Sequence, residues 1–142
     1  MGTSALMQIG EVAERTGLSL RTIRYYEEVG LVVPAARSQG GFRLYTEADI
    51  ERLHVIKRMK PLEFTLEQTR ELMGILDRLT TGHPLTETER ARHVATLRTY
   101  QHAAQARCET LREQLTTAET FTANLAAHID SLETVAAAAT RR

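Results

Sequence analysis

Apolar positions follow two regimes along the chain. Up to about residue 80 they come in short bursts of helical spacing, interrupted by glycine, proline and capping residues; after Pro84 they run on at steps of three and four without a single glycine or proline. Ile9, Val12 and Ala13 mark a first helix that Gly17 ends. Ser19 is suited to cap a second helix, and Gly30 to close it. Within that second helix Leu20 and Ile23 share a face that can be buried. Arg21, Arg24 and Tyr25 stand at i, i+3 and i+4 on a neighbouring face, and Tyr26 is open to either side. Two short helices joined through a glycine-containing turn form a helix-turn-helix.

Beyond Gly30, the stretch from Arg37 to Tyr45 sets Gly40 and Gly41 between polar and alternating apolar residues, which predicts a tight hairpin, a wing beside the helices. Thr46 and Asp49 predict a capping box that opens a third helix, with Ile50, Leu53, Ile56 and Met59 as its apolar stripe. Thr65 and Gln68 predict a second box, opening a helix whose Leu66, Met73, Leu76 and Leu79 turn to the same core. Gly82-His83-Pro84 closes this unit.

Residues 86–89 can cap the last element. From there Val94, Leu97, Gln101, Ala104, Cys108, Leu111, Leu115, Ala118, Thr122, Leu125, Ile129, Leu132 and Ala136 hold a heptad seam for about six repeats. Unbroken from Glu87 to Ala139, such a helix is about 80 Å long. It cannot bury the seam alone, so a partner chain or a fold-back covers it. Ala104 and Ala118 permit close approach, while Gln101 and Thr122 place polar atoms that favour one register. Tyr100 and Phe121 are read as packing residues.

Charge sharpens the picture of the first half. The 142 residues carry 18 basic and 18 acidic side chains, yet between Arg15 and Arg43 five arginines face only Glu27 and Glu28. Guanidinium forks suit guanine edges and phosphate oxygens, so the exposed face of the second helix is a candidate DNA-reading face. A single cysteine supports no internal disulfide and fits a reducing cytoplasm; no apolar run is long enough for a bilayer, so no membrane partner is expected. Cys108 falls on the seam, where packing is a simpler role than sensing. His54, His83, His93, His102 and His128 match no compact ligand motif, and no nucleophile–base pair, phosphate loop or carboxylate pair is visible. No metal, no cofactor and no enzymatic activity are expected.

Ile9-Gly10-Glu11-Val12-Ala13, Thr16-Gly17-Leu18-Ser19, Thr22-Ile23-Arg24-Tyr25-Tyr26-Glu27, Gly30-Leu31, Gly41-Phe42-Arg43-Leu44-Tyr45 and Asp49 with Arg52-Leu53 occur in one order and spacing. In this the chain resembles the MerR (mercury-resistance regulator) family of bacterial transcription regulators, over about residues 7–80. The resemblance implies an all-α fold with a small β-hairpin wing. A tail (1–6) precedes a winged helix-turn-helix DNA-binding domain (7–82), and a long helix with its C-terminal tail (83–142) pairs as an antiparallel coiled coil in a homodimer. Position by position, it implies that Arg21, Arg24 and Tyr25 enter the major groove and that Arg37 and Arg43 grip phosphates. Lys60 matches another backbone-contacting base, and Tyr26 is open to groove contact or core packing. Tyr45 is expected to anchor the wing to the core. By the same resemblance the dimer reads a pseudo-palindromic promoter operator in double-stranded DNA, bends and untwists it between the promoter elements, and works with RNA polymerase. The sequence names no effector. One departure stands out: Pro61 is placed to stop the third helix early, and Glu63 replaces a glycine that tolerates positive φ. That predicts a second wing of altered shape. The alternative reading is a coiled-coil interaction or architectural protein with weak or incidental DNA binding.

Overall fold

The computed structural model describes residues 6–141. The expected N-terminal tail lies outside the described residues except for Leu6, which is exposed. In chain order the elements are β1 (Met7–Gln8), α1 (Ile9–Thr16), α2 (Leu20–Glu28), β2 (Ala36–Arg37), β3 (Arg43–Tyr45), α3 (Glu47–Met59), a 3₁₀ turn (Lys60–Leu62), α4 (Leu66–Thr80) and α5 (Glu87–Thr140). Residues up to His93 form one compact unit, and those from Val94 form a second.

In the first unit α2, α3 and α4 begin where local chemistry tells them to, at capping residues. The Ser19 hydroxyl accepts from the Thr22 amide at 3.0 Å, and Thr46–Asp49 and Thr65–Gln68 close reciprocal capping boxes. Gly17 ends α1 at φ 74°, and a Cβ there would stand 3.0 Å from Lys57 Nζ. That lysine donates to the Thr16 carbonyl at 2.8 Å, placing a cation on the carbonyl end of α1.

The expected hairpin forms, and it gains a strand. β3 pairs antiparallel with β2 on one side and with β1 on the other, with Met7 opposite Tyr45 and Arg37 opposite Arg43. Two residues carry no readable period, which is why β1 escapes the sequence pattern. The loop closes with the Ser38 amide donating to the Phe42 carbonyl at 2.8 Å and the Gly41 amide to the Ser38 carbonyl at 2.9 Å, with Gly41 at φ 81°. A three-residue hairpin loop needs a left-handed residue at that point.

Around this sheet Val12, Ile23, Val32, Tyr45 and Leu53 are fully buried, with Met7, Ile50, Ile56, Met59 and Met73 completing the core. Two expected core residues are not in it. Leu20 is exposed, because as the first residue of α2 its side chain leans back past the helix start. Leu79 is exposed as well, roughly 100° round the helix from the Leu66–Met73–Leu76 stripe; Ile75, on the face of α4 away from that stripe, is buried outside this core.

At Pro61 the expectation divides. α3 does end early, at Met59, and Pro61 sits in the 3₁₀ turn that follows. Yet Glu63 takes φ 58° and ψ 33°, the left-handed conformation that a glycine would adopt. Its amide donates to the Lys60 carbonyl at 3.1 Å, closing the 3₁₀ turn.

α5 is one unbroken helix of 54 residues. Thr86 and Glu89 form a reciprocal cap at its start, with the Thr86 amide donating to Glu89 Oε1 and the Glu89 amide to the Thr86 hydroxyl, both at 3.1 Å. Tyr100 is buried, and Leu97, Ala104, Cys108 and Leu111 are half-buried. From Arg112 to Arg141 every residue is exposed, including Phe121, which does not pack within the chain as expected. The Thr122 hydroxyl donates back to the Ala118 carbonyl at 3.0 Å.

Candidate nucleic-acid interface

The candidate interface is built on α2. Buried Ile23 fixes the helix to the core and thereby turns Arg21, Arg24 and Tyr25 outward, all three exposed. At its C-terminal end the Leu31 amide donates to the Tyr26 carbonyl at 2.8 Å, with Gly30 at φ 81°. Two arginines hold the segment that follows. Arg70 of α4 donates through Nε to the Val29 carbonyl at 3.0 Å, and Arg52 of α3 donates to the Leu31 carbonyl while pairing with Asp77.

The wing is tied to the same helix through Glu27. Its carboxylate pairs with Arg43 and accepts the Tyr45 phenol at 2.8 Å. Tyr45 is fully buried, and burial first, then the bond to Glu27, pushes its phenol well above the ordinary tyrosine range. The expected anchoring of the wing by Tyr45 holds, and Glu27 is the atom-level reason. Glu27 stands in the Thr22–Glu27 stretch that carries the resemblance, but its role was not readable there: an acid one turn from an arginine face reads as solvated.

The structure sorts the predicted residues into groups. Arg24 and Arg43 line one cleft of about 110 Å³ between the start of α1, α2 and the wing, together with Phe42. Phe42 is 62% exposed at the wing tip, an aromatic position the charge pattern did not single out. Tyr25, Tyr26 and Lys60 line a second hollow, which Arg21 and Arg37 do not reach. Arg37 folds over its own hairpin, donating to the Gly41 carbonyl at 3.1 Å. Tyr26 is half-buried and packs against the core, its phenol raised by burial and then by Tyr25, so the open choice for this residue leans to packing. Among the described residues no three His, Cys, Asp or Glu side chains come together as a metal site, and no helix is long and apolar enough to cross a membrane.

A capped helix presenting basic and aromatic side chains from a helix-turn-helix, with an arginine-bearing wing fixed alongside, defines a winged helix-turn-helix DNA-binding domain. A family profile described as MerR HTH family regulatory protein matches residues 7–74. The mercuric resistance operon regulatory protein of Bacillus cereus is 45% identical over 71 residues, 50% of this chain and 54% of that protein. A probable heavy metal-dependent transcriptional regulator of Haemophilus influenzae is 41% identical over 91 residues, 64% of this chain and 71% of its own length. Among solved structures, HiNmlR, a MerR family regulator lacking the sensor domain and bound to promoter DNA, shares the fold at a TM-score of 0.59 and 18% identity, over 78% of this chain and 79% of its own. The chain belongs to the MerR family, and its winged helix is that family's helix-turn-helix domain. For most of the curated relatives it matches, the similarity spans about half of the relative's length.

Proposed function

We propose that the chain acts in the cytoplasm as a homodimeric, sequence-specific regulator that reads a pseudo-palindromic promoter operator. The observation that carries this reading is the joint exposure of Arg21, Arg24 and Tyr25 on a helix whose opposite face is locked into the core. In this reading those three reach base edges and backbone in the major groove, while Arg37, Arg43 and Lys60 meet phosphates. The reading domain is residues 7–82, and residues 83–142 supply the dimer through the heptad seam of α5. Two heads at a fixed spacing engage two half-sites on one face of the duplex, and the bend and untwist they impose realign the promoter elements for RNA polymerase.

The test is footprinting and affinity measurement on the DNA upstream of the chain's own gene. The expected result is one protected dyad, with log K falling by about 0.9 per log unit of salt for each phosphate neutralised. Arg24→Ala is expected to reduce preference for that site by tenfold or more while the protein stays folded and dimeric. Equal affinity for random DNA, or an unaffected Arg24→Ala variant, counts against the proposal.

A further inference from the structure

Beneath the C-terminal half of α2, the end of α3 and the start of α4 enclose a pocket of about 200 Å³. Its floor is apolar, made by Ile56, Met59 and Leu66, and Tyr25, Tyr26 and Phe64 add three aromatic side chains. The Tyr25 and Tyr26 rings lie with centroids 6.0 Å apart and planes inclined by 52°, a tilted pair that forms one aromatic wall. Tyr25 is 48% exposed, so the mouth reaches solvent. Lys60 is the one charged side chain among the lining residues, and no carboxylate lines the pocket. Thr69 completes one wall, its hydroxyl already donating to the Thr65 carbonyl at 2.9 Å.

Each of these features narrows the occupant. The volume admits one or two fused rings and excludes a dinucleotide or a helical peptide. Aromatic walls on an apolar floor favour a flat, unsaturated ligand over an aliphatic one. A lysine without an opposing acid in the lining repels cations and rewards an anionic substituent. The geometry points to a binding site for a small aromatic carboxylate, its ring held against the tyrosine and phenylalanine side chains of the lining and its carboxylate on Lys60. Tyr25 and Lys60 are also proposed DNA contacts, so occupancy competes with DNA; that consequence, unlike the site itself, rests on the regulator reading above.

The experiment titrates the full chain with 2-naphthoate by calorimetry, without DNA. Saturable binding of one ligand per protomer is expected below about 1 mM. Lys60→Met and the neutral analogue 2-naphthalenemethanol are each expected to weaken binding at least tenfold. Thr69→Phe, which grows a ring into the pocket from outside the DNA-facing residues, is expected to abolish naphthoate binding while keeping operator affinity. Naphthoate should then lower the operator affinity of the unmodified chain and leave that of Thr69→Phe unchanged. Absence of saturable binding, equal binding of the acid and the alcohol, or full binding by Lys60→Met overturns the site. A chain that binds naphthoate and no DNA sequence selectively counts against the regulator reading alone.

Discussion

Glu27 does more than its place on a reading helix advertises. Its side chain is 13% exposed, and it joins two residues of β3 to α2, pairing with Arg43 and accepting from Tyr45. Removing that acceptor leaves a buried phenol unsatisfied, so Glu27→Ala is expected to cost about 1–3 kcal/mol in urea unfolding. Glu27→Gln keeps an oxygen for Tyr45 and loses only a partly exposed ion pair, so its cost is about 1 kcal/mol or less. An amide variant as unstable as the alanine one would shift the credit from the phenol to the charge pair. Arg43 offers a second readout, because it is both the partner of Glu27 and a proposed phosphate contact. If it neutralises a phosphate, Arg43→Gln flattens the salt dependence of DNA binding by about 0.9 per log unit, whereas Glu27→Gln leaves the slope unchanged.

At the level of elements, local chemistry was readable and distant pairing was not. Ser19, Thr46, Thr65 and Thr86 each cap a helix from three residues away, and a contact that short is written in the sequence itself. The arginine face of α2 was legible for the same reason, as a spacing within one helix. Glu27, Arg43 and Tyr45 meet across 16 and 18 residues, and β1 exists only because β3 is there to receive it. Glu63 shows another limit: between the 3₁₀ turn and the Thr65 cap it takes a positive φ that its residue type resists by about 1–2 kcal/mol, a conformation its side chain does not announce. The cap of α5 carries its own test. Glu89 is held near a pKa of about 2, first by the Thr86 amide, then by Arg78 and the Thr86 hydroxyl. A carboxyl lowered from 4.5 contributes fully above that value, and its contribution fades as pH falls towards 2. The first turn of α5 is therefore expected to lose amide protection between those limits. In a side-chain NMR titration Thr86→Ala should move the Glu89 midpoint upward; an ordinary midpoint in the unmodified chain contradicts the cap.

For the whole molecule the open question is what covers α5. Leu115, Leu125, Ile129 and Leu132 keep their seam positions, and Leu132 is 70% exposed. Burying one such side chain is worth about 1.5–3 kcal/mol, and a seam sustained over this length gives a partner helix many of them. The proposed second copy makes the strongest numerical claim. A single winged helix reads one half-site, and linking two raises affinity for the full dyad by about 100-fold to 10,000-fold through effective concentration alone. Leu125→Glu combined with Ile129→Glu places four carboxylates in a dimeric seam while leaving the winged helix, a separate compact unit, untouched. Sedimentation equilibrium should then show a monomer, affinity for the full operator should drop at least 100-fold, and half-site affinity should hold. The salt dependence gives an internal check, since halving the number of phosphates engaged halves its slope. If the double variant stays dimeric, the seam is not the interface. If it is monomeric and still grips the full operator as tightly, the two heads never acted together, and the long helix serves some other partner.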